Sequence, residues 1–356
     1  MRIPKFLPKD GTIGFVAPSF GCNIEPYKSS FENALKHFEE MGYSKWLGPN
    51  CFVGEGIGIS NKPELCGKEL TDAYTLSGEG SPDVIISCGG GEMMCEVIPY
   101  IDFEAVKKAE PKWYMGYSDN TNFVYLSATI ADTAAIYGPC APAFGMEPWH
   151  ESLRDAFDLI KGEKNSVSGY PLWEKEGLKD EEHPLLPYNV TEKTEYMYYL
   201  PDGAQEVCSG SEMNSEVILE GRLIGGCVDC LVNLLGTRYD KTADFLEKYK
   251  DDGFIWFLEC CDLNPMSMRR AFWQMREAGW FKYVRGFMIG RPLHKGEEMF
   301  GADCYNSVTD IIGELGVPII MDLDIGHLPP MVPIICGVKA KASFTGNSMT
   351  VNYRIR

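Results

Sequence analysis

The chain has 356 residues, of which 45% are hydrophobic and 24% charged, and its formal net charge is −18. That length suits two domains, and the composition is that of an ordinary globular protein. The acidic balance argues against a nucleic-acid or anionic-membrane surface, since both rely on clustered Lys and Arg, and it reads as a solubility charge.

Residues 1–10 lack the uninterrupted apolar stretch of a secretory signal, and no apolar run reaches membrane-spanning length, so a cytoplasmic protein is expected. From Thr12 to about Gly162 short apolar segments alternate with amphipathic ones. Strands are predicted over 13–17, 84–87, 113–115 and 135–137, and helices over 31–41, 63–76, 122–131 and 153–160. Such alternation implies a mainly parallel sheet covered by helices.

The run Cys88-Gly89-Gly90-Gly91-Glu92 follows the second of these strands. Consecutive glycines let backbone amides approach a ligand with no Cβ in the way. Gly89 is a candidate for substrate contact. The amide of Gly90 or Gly91, with that of Asp119, is a candidate oxyanion hole. The next strand stops at Gly116, Ser118 follows, and the helical pattern of Asn122, Phe123, Leu126 and Ile130 begins at once. A serine on a sharp strand-to-helix turn is lifted out of the sheet, with the first helical amides directed at whatever it attacks.

Beyond Glu163 the character changes. Pro171, Pro184, Pro187 and Pro201, many charges and no sustained period suggest an interdomain connection with some local hairpin structure. Trp173 within it is a candidate to stack on a flat substrate group, although a tryptophan in a connection is more often simply packed. The expected division is therefore a first domain over 1–165, a connection over 166–215 and a second domain over 216–356.

The second domain reads as another α/β unit, with strands over 217–219, 255–258, 286–289 and 319–323. A closing hairpin, 338–344 with 349–353, turns at Gly346-Asn347. Gly225-Gly226 reads as a tight turn between a strand and a short helix, serving either backbone packing or substrate contact. One strand ends in Glu259, and another runs out into Gly326-His327. A serine hydroxyl needs a base to take its proton, and the base needs a carboxylate to fix its tautomer and stabilise its charge. Ser118, Glu259 and His327 each follow a strand-like run, where open α/β sheets gather their chemistry. The other histidines, His37, His150, His183 and His294, read as surface or structural.

Thirteen cysteines, several in apolar runs (Cys88, Cys260, Cys261, Cys336), look like buried thiols of a reducing compartment and not a disulfide framework. Cys227-Val-Asp-Cys230 has metal or redox spacing, but no second pair and no nearby histidine accompany it. It reads as structural, and neither metal nor cofactor is expected.

With these residues in place the chain resembles the LD-carboxypeptidase family, and within it the branch of microcin C immunity peptidases. The resemblance rests on Asp10-Gly-Thr-Ile-Gly-Phe-Val-Ala-Pro-Ser19, Gly89-Gly90, Gly116-Tyr-Ser-Asp119, Leu223-Ile-Gly-Gly226, Phe257-Leu-Glu259 and Gly326-His327 followed by Pro333. It implies a flavodoxin-like N-terminal sheet domain and a smaller C-terminal α/β domain of the swivelling type. The nucleophile Ser118 would stand on the first, and Glu259 and His327 on the second. It also implies a homodimer that cleaves the amide between an L- and a D-residue, as in murein tetrapeptide, or a peptidyl-nucleotide antibiotic. Where the family often has arginine before the glycine loop, tyrosine after Gly-Gly and asparagine after Leu-x-Gly-Gly, this chain has Cys88, Gly91 and Cys227. Two other readings are an α/β-hydrolase esterase, against which Asn120 replaces the second glycine of Gly-x-Ser-x-Gly, and a non-enzymatic two-domain binding protein.

Overall fold

The computed structural model describes residues 1–201 and 206–355 and divides into two units. The first comprises Met1–Asn165, Glu176–Asn189 and Pro333–Gly337. Its strands β1 (Thr12–Val16), β2 (Ser44–Leu47), β3 (Val84–Ser87), β4 (Trp113–Gly116) and β5 (Ala135–Tyr137) are all parallel, in the order β2-β1-β3-β4-β5. An antiparallel sixth strand, Ile334–Cys336, lies along β5. This is the flavodoxin-like order, in which ligands gather outside the carboxyl ends of the strands.

Every residue of β3, β4 and β5 is buried, as expected for parallel strands covered on both faces. β2 has no counterpart in the predicted strands. It is an edge strand with Ser44, Lys45 and Leu47 exposed, so no apolar run marks it. The four predicted helices are present as Tyr27–Glu40, Pro63–Thr75, Thr121–Thr129 and Glu151–Lys161. The last turns Leu153, Ala156, Phe157 and Ile160 inward, and Gly162 in the left-handed conformation closes it. Phe38, Phe144, Trp149 and Phe157 meet in one aromatic cluster beneath it.

The second unit comprises Ser166–Lys175, Val190–Val332 and Val338–Arg356. At its centre Val217–Cys227, Phe254–Glu259, Val284–Gly290 and Ile319–Leu323 run parallel. Antiparallel strands extend this sheet to nine: Lys339–Thr345, Ser348–Arg354 and Ser166–Ser168 on one side, Met197–Tyr199 and Cys208–Ser209 on the other. The hairpin turns at Gly346-Asn347, and its two strands alternate buried and exposed positions.

Residues 166–215 are thus shared out. Short strands go to the edges of the second sheet, Leu172–Trp173 pairs with Glu192–Lys193, and Glu176–Asn189 belongs to the first unit. Residues 202–205 of that segment, and Arg356, lie outside the described residues. The Gly225-Gly226 pair corrects the sequence reading. It is not a turn but the end of the eleven-residue strand Val217–Cys227, paired in register with Phe257 and Leu258, and the helix Val228–Leu234 begins only after Cys227. Glycine is required because φ is +147° and +144° there and a Cβ on Gly225 would collide with the Phe257 carbonyl.

A comparable constraint within the first unit gives a stability test. A Cβ on Gly145 would collide with the backbone carbonyl of Ser30 in the helix Tyr27–Glu40. Gly145→Ala is expected to cost about 3 kcal/mol, because backbone on both sides must move. Urea denaturation measures this, and an unchanged midpoint would show that the contact yields freely.

Candidate active site

The nucleophile candidate stands on a strained turn. β4 ends at Gly116, where a Cβ would lie 2.8 Å from Asn120 Cγ, and Tyr117 is extended. Ser118 then takes φ +61°, one of few non-glycine residues in the left-handed region, and a helical turn over Ser118–Asn120 leads into Thr121–Thr129. Such a conformation costs on the order of 1 kcal/mol or more and persists only where its surroundings enforce it. It is the geometry of a nucleophile elbow. The Ser118 amide donates to the Tyr137 hydroxyl of β5 at 3.1 Å.

The glycine loop lies directly against this serine. A Cβ on Gly90 would stand 3.0 Å from Ser118 Cβ and 3.1 Å from its Oγ. A Cβ on Gly89 would touch the Phe20 side chain, and one on Gly91 would collide with Ser19 Oγ. The first unit therefore brings Gly89, Gly90 and Gly91 together with Ser118 and Asp119. The Asp119 side chain itself is buried and structural. Its Oδ2 accepts from the Met94 amide at 2.8 Å and from Ser19 Oγ, and its Oδ1 accepts from Asn122 Nδ2 at 2.9 Å.

The second unit brings together the other two candidates. Glu259 ends a strand buried at every position and is itself fully buried. His327 Nδ1 lies 3.0 Å from Glu259 Oε2. Two glycines make room for the pair. A Cβ on Gly326, where φ is +106°, would sit 2.6 Å from Glu259 Oε2, and one on Gly290 would sit 2.8 Å from Glu259 Cβ. Burial disfavours the imidazolium, but the charge of Glu259 and hydrogen bonds to Cys261 and Glu259 outweigh it, so the His327 pKa stands well above its ordinary value.

Asp229 braces the chain just after Glu259. Its carboxylate accepts from the amides of Cys261 at 3.0 Å and Asp262 at 2.9 Å. It is the residue inside Cys227-Val-Asp-Cys230, so that segment has a structural task, and only the fold reveals which residues it meets. Cys227 stands beside Glu259 in the ladder, and its thiol is held protonated by the hydrogen bond with Cys230 and by burial. Nine of the thirteen cysteines are buried, Cys88, Cys260 and Cys336 among them, while Cys261 is half-buried.

Trp173 does not offer an open stacking face in this unit. The ring is buried, its Nε1 donates to the Lys193 carbonyl at 3.2 Å, and the Arg291 guanidinium lies 4.5 Å from its centroid. Arg291 in turn donates to Asp324 and to the Asp322 carbonyl, each at 3.0 Å. The remaining histidines are structural or at the surface: His37 contacts the Phe144 carbonyl, His150 caps a helix, and His183 and His294 pair with Asp180 and Glu297.

A serine elbow with a glycine loop stands on a flavodoxin-like sheet and a buried glutamate–histidine pair on a second sheet, and similarity along the chain makes this protein a hydrolase of the serine peptidase class. Residues 13–138 match the LD-carboxypeptidase N-terminal domain and residues 220–342 the LD-carboxypeptidase C-terminal domain, and the chain belongs to the LD-carboxypeptidase family. It is 25% identical to the microcin C7 self-immunity protein MccF of Escherichia coli, over 96% of this chain and 92% of that protein. It is 24% identical to a probable murein peptide carboxypeptidase of Bacillus subtilis, over 95% and 90%. Among solved structures, an MccF-like protein from Bacillus anthracis aligns with a TM-score of 0.77 at 22% identity, covering 99% of this chain and 100% of that one. MccF in complex with aspartyl sulfamoyl adenosine aligns at 0.78 and 18% identity, covering 100% and 99%. The structural likenesses establish the fold, and the family sets aside the esterase and binding-protein readings.

The Glu259–His327 pair has a pH signature. A histidine whose folded pKa is raised contributes stability that is fully present below about pH 6.5 and lost as pH rises through the folded value. Glu259→Gln removes the charge that raises it. The NMR titration midpoint of His327 is therefore expected to fall in this variant, and the stability gap from wild type to be widest at low pH. An unmoved midpoint would remove Glu259 as the cause.

Proposed function

We propose that the chain is a serine carboxypeptidase that hydrolyses an amide between an L- and a D-residue, as in the tail of murein tetrapeptide. Ser118 Oγ attacks the carbonyl carbon while His327 takes the hydroxyl proton, and Glu259 holds the imidazole through Nδ1 and stabilises its positive charge. The developing oxyanion is met by the amide of Gly90 or Gly91 and that of Asp119. Collapse of the intermediate returns the proton to the leaving amine. Water, activated by the same histidine, then releases the acyl group and regenerates Ser118. Gly89, Gly225 and Gly226 are proposed to present bare backbone to the peptide.

The observation that carries this reading is the left-handed serine pressed against a glycine loop. An ordinary loop serine has no need of a strained backbone, whereas a nucleophile elbow is built on one. A second reading, cleavage of a peptidyl- or aminoacyl-nucleotide, is favoured by similarity along 96% of the chain to MccF, whose own structure holds aspartyl sulfamoyl adenosine. Free D-alanine from murein tetrapeptide, against release of an aminoacyl nucleotide, separates the two. Thirteen cysteines, nine of them buried, suit a reducing compartment, and a cytoplasmic homodimer is proposed on the family's pattern, with sedimentation velocity as its test.

Ser118→Ala is expected to abolish turnover, down to the residue of catalysis that binding and the oxyanion donors still supply, about a millionfold below wild type. The fold should persist, since a half-buried hydroxyl leaves no sizeable cavity. Intact-mass measurement with a fluorophosphonate should show one adduct on wild type and none on the variant. Near wild-type turnover by Ser118→Ala would end the serine mechanism.

A further inference from the structure

We infer that Asp119 and Asn120, the two residues after the nucleophile, are positioning residues whose side chains staple both ends of the glycine loop to the serine elbow. This rests on the reading of Ser118 as nucleophile and concerns what holds its oxyanion donors in place.

Asn120 is fully buried and uses its amide in three directions. Its Nδ2 donates to the Gly89 carbonyl at 2.7 Å and to the Tyr117 carbonyl at 3.0 Å. Its Oδ1 accepts from the Tyr114 hydroxyl on β4, which fixes the orientation of the amide. One side chain therefore ties the start of the glycine loop to the residue preceding Ser118. Asp119 ties the other end, because its Oδ2 accepts from the Met94 amide at 2.8 Å. The same oxygen accepts from Ser19 Oγ, and the next residue of that segment, Phe20, donates its amide to the Gly90 carbonyl at 2.6 Å. The loop 89–94 is held at its first residue, its second and its last, and all three ties belong to the elbow or to the Ser19-Phe20 segment that Asp119 anchors.

The chemistry of each position follows. Two carbonyl oxygens converge where Asn120 stands, so a donor is needed and the isosteric carboxylate would repel both. Two donors, an amide and a hydroxyl, converge where Asp119 stands, so an acceptor is needed there. This also accounts for asparagine in the place where Gly-x-Ser-x-Gly would have its second glycine. Oxyanion stabilisation depends on donors placed before the reaction, and a misplacement of about 1 Å costs up to about a hundredfold.

The test compares Asn120→Asp, Asp119→Asn, Ser19→Ala and Ser118→Ala with wild type, using fluorophosphonate as the probe. In that reaction Ser118 Oγ displaces fluoride from phosphorus and the hydroxyl proton passes to the base. Saturation kinetics separates probe binding from the bond-making rate, and melting temperature reports the fold. Asn120→Asp and Asp119→Asn are expected to slow bond-making about tenfold to a hundredfold with probe affinity within about twofold, and Ser19→Ala about threefold to tenfold. Should Asn120→Asp not fold, Asp119→Asn and Ser19→Ala decide the matter. Folded staple variants that label at the wild-type rate would overturn this inference alone, as would variants that only melt earlier. Labelling of Ser118→Ala at the wild-type stoichiometry would instead overturn the nucleophile assignment beneath it.

Discussion

The left-handed backbone at Ser118 is the constraint on which the first unit's candidate chemistry depends. A serine at φ +61° holds its hydroxyl clear of the sheet only if the residues around it enforce a conformation that an unrestrained chain would leave. Each neighbour contributes a specific restraint. Gly116 lets the Asn120 side chain fold back against the strand end, Tyr137 takes the Ser118 amide, and Asn120 takes the Tyr117 carbonyl. The strain is offset locally by hydrogen bonds worth about 1 kcal/mol each, one made by Tyr137 of β5 and one by Asn120, whose amide is itself held by Tyr114 of β4.

A related economy of space governs Glu259. A fully buried carboxylate is tolerable only with a partner that satisfies it, and His327 reaches it because Gly326 and Gly290 remove the side chains that would intervene. Removing one member of such a pair strands the other in a poor solvent, which makes the pair a positional device more than a source of stability. Asp229 extends the same logic outward by fixing the backbone after Glu259 through two amide contacts. The Cys-x-x-Cys spacing that invites a metal interpretation is, in the fold, the frame around that aspartate.

Trp173 and the segment around it show where local pattern says little. Residues 166–215 lack periodicity because their strands are two or three residues long and sit at or next to sheet edges, too short for an alternation to show. A tryptophan in such a stretch reads either as a platform for a flat group or as simply packed. In the fold it is enclosed by Lys193 and Arg291, which come from strands and loops the local sequence does not announce.

Buried parallel strands wrote themselves plainly into the chain. Val84–Ser87, Ala135–Tyr137 and Ile319–Leu323 are apolar apart from Ser87 and Asp322 because both of their faces are covered, and their predicted limits coincide with the observed ones. Apolar runs also point to the candidates, since Ser118 follows Trp113–Gly116, Glu259 ends Phe254–Glu259 and His327 follows Ile319–Leu323. The edge strand Ser44–Leu47 left no such mark, being half in water, and the glycines within Val217–Cys227 disguised a continuous strand as a turn. The supports of the site were beyond reach for a different reason. Ser19 lies a hundred residues from Asp119, Gly89 thirty-one from Asn120 and Cys261 thirty-two from Asp229. A hydrogen bond across such a separation imposes no period and no spacing on the chain, so only the packed sheet, by bringing strand ends side by side, decides which polar groups meet.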